Sequence, residues 1–209
     1  MIDIIHRGVI MKKNYEVQLP ENYKEIYSID AKSKKTGTIF TLLSLVILVV
    51  IMGICMLPIF INKVKIETGE LYKLLIAYVV FFVSMIGYII CHELVHGIAY
   101  KALTKQKLTF GLSWSCAFCG VPNIYCYRKT ALIALVAPLI TFTIILLPLT
   151  IVLYFISPIY YLISSFILSL HLSGCIGDIY MTILLLTKYK SPDVLIKDTG
   201  PKQTIYLND

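Results

Sequence analysis

Five consecutive residues, His92-Glu93-Leu94-Val95-His96, have the side chains and the spacing to hold a divalent metal and move a proton beside it. On a helix, residues four apart project from one face about 6 Å apart along the axis. Two imidazoles placed this way grip one Zn²⁺ ion, and the carboxylate beside the first reaches the water that the ion activates. The pattern therefore marks His92 and His96 as metal ligands and Glu93 as the catalytic base of a hydrolytic reaction. No Asp, Glu, Lys or Arg occurs from Leu74 to Cys91, so these groups continue an apolar run. In lipid such groups are costly unless they face a polar interior, a partner or a metal. The plainer reading is polar glue between helices.

Catalytic zinc has three protein ligands and one open position. Asp178 is the only acidic residue within the other long apolar stretches, and it is the expected third ligand. It lies about as far from the end of its stretch as the two histidines lie from theirs, so the depths match within about one turn. Gly174 and Gly177 are expected to thin that helix and let it approach the histidines. The alternative for Asp178 is a partner lysine or a backbone hydrogen bond. His171 sits two turns away, about 10 Å along the helix, and reads as an interhelical hydrogen-bonding residue rather than a co-ligand. Cys175 is a fallback soft ligand, and His6 reads as a solvated residue of the N-terminal arm.

The elements that must position these residues follow from where charge is missing. The chain has 209 residues, 58% hydrophobic and only 15% charged, against about 25% charged for a soluble domain. Charge vanishes from Thr36 to Asn62, Leu74 to Cys91 and Thr130 to Gly177. About 20 apolar residues cross the hydrocarbon core as a helix. The last block is too long for one crossing, and Ser157-Pro158 supplies a turn within it. The expected fold class is an all-α membrane protein with about four transmembrane helices, near 37–61, 71–103, 131–156 and 159–187. A short cytoplasmic hairpin loop joins spans two and three. The expected organisation is an N-terminal arm at 1–36, a four-span zinc-binding membrane domain at 37–187 and a tail at 188–209.

Lys and Arg number sixteen on the side of the arm, middle loop and tail, and three on the other. That bias places the chain in the cell membrane as a multi-pass protein with both termini in the cytoplasm. Tyr154, Tyr160 and Tyr161 at one face, and Tyr100 and Tyr189 at the other, suit interfacial belts. The first 35 residues lack the apolar core of a cleavable signal peptide. The net charge of +7 sits at span ends and is not interleaved with stacking aromatics, so no nucleic-acid partner is expected. Cys116-Ala-Phe-Cys119 is a lone C-x-x-C, which packing explains as well as metal or redox use does. Leu108 to Tyr127 reads as short strands or a re-entrant hairpin whose edge can pair with an extended substrate.

Taken in order, His92-Glu93-Leu94-Val95-His96-Gly97, Phe110-Gly111, Ala137-Pro138 and Gly177-Asp178-Ile179-Tyr180 resemble the bacterial "putative zincin peptidase" family of small membrane proteins. The likeness covers about residues 70–209, and Asp198-Thr199-Gly200 in the tail is also similar to that group. More distantly, the arrangement is similar to site-2 intramembrane metalloproteases. The resemblance implies His92 and His96 as ligands, Glu93 as base and Asp178 as third ligand. Asp178 departs from the site-2 pattern, lacking Asn-Pro before it and Gly after it. The expected function is zinc-dependent hydrolysis of a peptide bond near the cytoplasmic membrane boundary. Its expected partners are the lipid bilayer and a peptide or membrane-protein substrate, with the oligomeric state open. The alternatives are a non-catalytic membrane binding or immunity-type protein keeping a structural zinc, and a transporter using the intramembrane charges.

Overall fold

The computed structural model describes residues 13–65, 71–113 and 117–208. Its helices are α1 (Lys34–Ile61), α2 (Leu71–Thr104), α3 (Arg128–Ile156), α4 (Pro158–Gly174) and α5 (Ile176–Thr187). α1 starts at Ser33, whose hydroxyl accepts from the Thr36 N–H at 3.2 Å and satisfies one orphan donor of the first turn. α3 ends at Ser157, which is extended, and α4 begins on Pro158, where a missing N–H costs nothing. α4 and α5 form one apolar stretch, Pro158–Thr187, which breaks at Cys175. Four helical stretches are therefore long and apolar enough to cross a membrane.

The expectation of an all-helical protein is corrected by a five-stranded antiparallel sheet. Its strands are β1 (Tyr15–Glu16), β2 (Tyr23–Asp30), β5 (Tyr125–Tyr127), β6 (Leu195–Asp198) and β7 (Lys202–Asn208), in the order β1-β5-β6-β7-β2. A separate hairpin pairs β3 (Thr109–Leu112) with β4 (Ala117–Gly120), as the short-strand reading of the middle loop expects. The arm, the middle loop and the tail each give strands to one sheet, so all three lie at the same end of the helices. Apart from the local β6–β7 hairpin, the strands of this sheet pair with distant segments, and that pairing leaves no local periodic signal beside the long apolar runs.

Sheet and helix ends share a core of Tyr100, Val121, Ile124, Cys126, Leu135, Met181, Leu185, Val194, Ile196 and Ile205. Tyr100 is thus buried rather than interfacial. Tyr161 is buried too, its hydroxyl donating to the Cys55 carbonyl. Neither belongs to a tyrosine belt. Tyr160 does remain exposed. Two glycine positions bring the elements close. A Cβ on Gly97 would meet the Phe110 ring at 2.7 Å, so a larger residue there would push that ring off its present seat on α2. A Cβ on Gly120 would meet the Gly200 nitrogen at 2.3 Å, where the β6–β7 turn (Gly200 φ +98°) crosses β4. α1 packs on α4 and α5, α2 packs on α3 and α4, and α1 and α2 scarcely touch.

Candidate metal centre

Tyr88, His92, His96 and Tyr100 are spaced four apart and form one buried stripe along α2. The two histidines occupy its middle. Asp178, in the first turn of α5, faces both, with Oδ2 at 3.5 Å from His92 Nε2 and 3.2 Å from His96 Nε2. All three offer a ligand atom within 4.8 Å of one another. Donor atoms held by tetrahedral zinc at 2.0–2.1 Å lie about 3.3 Å from each other. Two imidazole nitrogens and a carboxylate oxygen at these separations fit a zinc ion.

Both rings are pinned through the nitrogen that faces away. His96 Nδ1 lies 2.8 Å from the Ala134 carbonyl. In a regular helix that carbonyl accepts the N–H of residue 138, but residue 138 is proline and has none. Pro138 thus frees an acceptor at the place where His96 can donate to it. His92 Nδ1 lies 3.0 Å from the Tyr88 hydroxyl. A ring that gives its proton to an outer partner turns a bare Nε2 toward the metal side.

Glu93 is half-buried, and its carboxylate has no hydrogen-bond partner among the described residues. It borders a cavity of ≈ 420 Å³ together with His92, His96 and Asp178. Phe40 and Ser44 of α1, Phe118 of β4 and Asp198 at the end of β6 also line it. Gly174 and Gly177 line it too, and they are not points of close helix approach. A Cβ on Gly174 would meet nothing within 4 Å, and one on Gly177 would reach only Phe40, at 3.9 Å.

His171 makes interhelical hydrogen bonds, as expected, to Tyr88 at 3.0 Å and to Thr143 at 3.0 Å. With His92 and Cys175 it forms a second set of ligand-type atoms within 4.8 Å. His92 Nδ1 and His171 Nδ1 already share the Tyr88 hydroxyl, whereas the His92–His96–Asp178 set borders the cavity. Cys119 and Cys126 are buried, and burial pushes both thiols up to about 12, which suits packing rather than redox use. Cys116, the partner of Cys119 in the C-x-x-C, lies outside the described residues, as does His6.

Three contributors escape sequence reasoning. Tyr88 and Tyr100 extend the histidine stripe at the same four-residue spacing, which is a signal a reader could use. Asp198 is the third: it is buried and accepts from Tyr100 Oη at 2.7 Å, the Gly200 N–H at 2.8 Å and Gln203 Nε2 at 3.1 Å. Burial pushes its carboxyl up to about 6 despite those donors.

A family model described as "Putative zincin peptidase" matches residues 85–192, just over half of the chain. The chain belongs to that family. The matched region takes in the His92–His96 pair, the β3–β4 hairpin, Pro138, His171 and Asp178. No curated protein and no solved structure matches the chain.

Proposed function

We propose that this family member is a zinc-dependent membrane metalloprotease that hydrolyses a peptide bond near the cytoplasmic boundary of the membrane. The observation that carries the reading is the convergence of His92 Nε2, His96 Nε2 and Asp178 Oδ2, with Glu93 beside them on one cavity. His92, His96 and Asp178 hold the ion. When bound, zinc lowers the pKa of a water toward about 7 and polarises the scissile carbonyl. Glu93 accepts the proton of the attacking water and delivers it to the leaving amine. With no competing hydrogen bond among the described residues, both carboxylate oxygens are available for that exchange.

A peptide reaches the cavity in extended form. Ala117, Phe118 and Cys119 of β4, the strand paired with β3, border it. Main-chain pairing there holds a substrate without demanding one sequence. The loose contact between α1 and α2 gives a membrane-embedded substrate a route in from the side. The sheet end of the molecule is cytoplasmic in this reading, because the arm, middle loop and tail it unites carry sixteen of the Lys and Arg residues.

Glu93→Gln tests the proposal. The variant is expected to keep one zinc per chain and to trap substrate, with cleavage of the trapped protein down about 10²–10⁴-fold. Full cleavage by Glu93→Gln refutes the role of Glu93. A cellular function untouched by the substitution would favour a non-catalytic zinc protein.

A further inference from the structure

We propose that Tyr88 and His171 are positioning residues for His92, acting through one directed chain of hydrogen bonds that crosses three helices. The inference rests on the reading of His92 as a zinc ligand. The chain runs from His92 Nδ1 to the Tyr88 hydroxyl at 3.0 Å, and from that hydroxyl to His171 Nδ1 at 3.0 Å. It then runs from His171 Nε2 to Thr143 Oγ1 at 3.0 Å. Tyr88 and His92 belong to α2, His171 to α4 and Thr143 to α3.

Proton counting gives the chain a single direction. A His92 that presents a bare Nε2 to a metal carries its proton on Nδ1 and donates it to the Tyr88 oxygen. Tyr88 has one proton, which goes to His171 Nδ1. His171 Nδ1 is then an acceptor, so its own proton sits on Nε2 and is donated to Thr143 Oγ1. The Cys175 thiol, 3.7 Å from His171 Nδ1, is a second donor to the same acceptor and agrees with this assignment. Running the chain backwards puts a proton on His92 Nε2 and removes the ligand.

Burial is deepest at the inner end of the hydrogen-bond chain, whereas Tyr88 and His92 border the cavity. His171 is 0% exposed and Tyr88 9%. The Phe142 ring packs on Tyr88, His92 and His171, with centroids at 5.3, 6.3 and 5.9 Å. In such a place an unmatched polar group costs about 1–3 kcal/mol. A misdirected tautomer is therefore disfavoured before any metal arrives. His96 needs no comparable side-chain chain, because the carbonyl freed by Pro138 does the same for its ring.

The test is zinc affinity in detergent, read by competition with a chelating indicator, together with the visible spectrum of the cobalt-loaded protein. Tyr88→Phe and His171→Leu are expected to bind zinc about 10–100-fold more weakly than wild type and to change the cobalt spectrum. His171→Asn keeps an acceptor oxygen near the Nδ1 position and is expected to bind close to wild type. The double variant Tyr88→Phe/His171→Leu is expected to be no weaker than Tyr88→Phe alone, since both cut one chain. Wild-type affinity in Tyr88→Phe, or His171→Asn as weak as His171→Leu, overturns the inference. Should Tyr88→Phe fail to fold, the two His171 variants decide the question alone. Wild-type protein without zinc fails the site reading itself, a result the titration registers before any variant is compared.

Discussion

The two ends of the buried stripe on α2 carry the same residue type and do different things. At one end the Tyr88 hydroxyl meets two imidazoles among apolar helices. At the other the Tyr100 hydroxyl donates to Asp198, a carboxylate supplied by the tail. The first partner set is made by α2 itself and α4, the second by the β6–β7 hairpin. A tyrosine one helical turn beyond a histidine is thus read by whatever element closes over it. In the proposed account Tyr88 positions His92, and Tyr100 ties the helix to the sheet.

Conditions and substitutions that act on one end alone sharpen this contrast. The largest effect at the sheet end comes from pH. Asp198 binds its proton more tightly folded, with its carboxyl at about 6, than unfolded, where it titrates near the ordinary 3.8. Between those values the folded chain holds more protons, so stability falls as pH rises from 4 to 6 and levels off above. Two units correspond to on the order of 3 kcal/mol. Wild type is therefore expected to gain thermal stability relative to Asp198→Asn as pH drops from 7 to 4. A wild-type-to-variant difference that stays flat over that range contradicts the assignment.

A smaller effect is expected from Tyr100→Phe, which leaves Asp198 short of one donor at a cost of about 1–3 kcal/mol. Limited proteolysis should find the tail of this variant cut faster, while its zinc affinity stays near that of wild type. Tyr88→Phe is expected to behave the opposite way. If both variants lost zinc alike, the stripe would be one undivided unit and the distinction between its ends would fall.

Much of the centre was legible in the sequence because its chemistry is local. His92, Glu93 and His96 lie within two turns of one helix, and Asp178 stands out as a lone acid in an apolar stretch. The turn at Ser157-Pro158 was legible for a similar reason, since proline acts on its immediate neighbours. The sheet was not. Tyr23–Asp30 pairs with Lys202–Asn208 across almost the whole chain, and neither segment is apolar enough to declare a partner. Pro138 was readable as a helix irregularity, but the use of its freed carbonyl depends on which helix lies opposite. Gly174 and Gly177 misled because small residues in apolar helices serve cavities as well as contacts.

The most direct test of the central claim is the metal content of detergent-purified protein, with wild type compared against His96→Ala and Asp178→Ala. About one zinc per wild-type chain is expected, and its loss in both variants, with the fold retained. Wild-type protein that takes up no zinc even after growth in zinc-supplemented medium would contradict the account, and would make His92, His96 and Asp178 a hydrogen-bonded polar cluster joining α2 to α5.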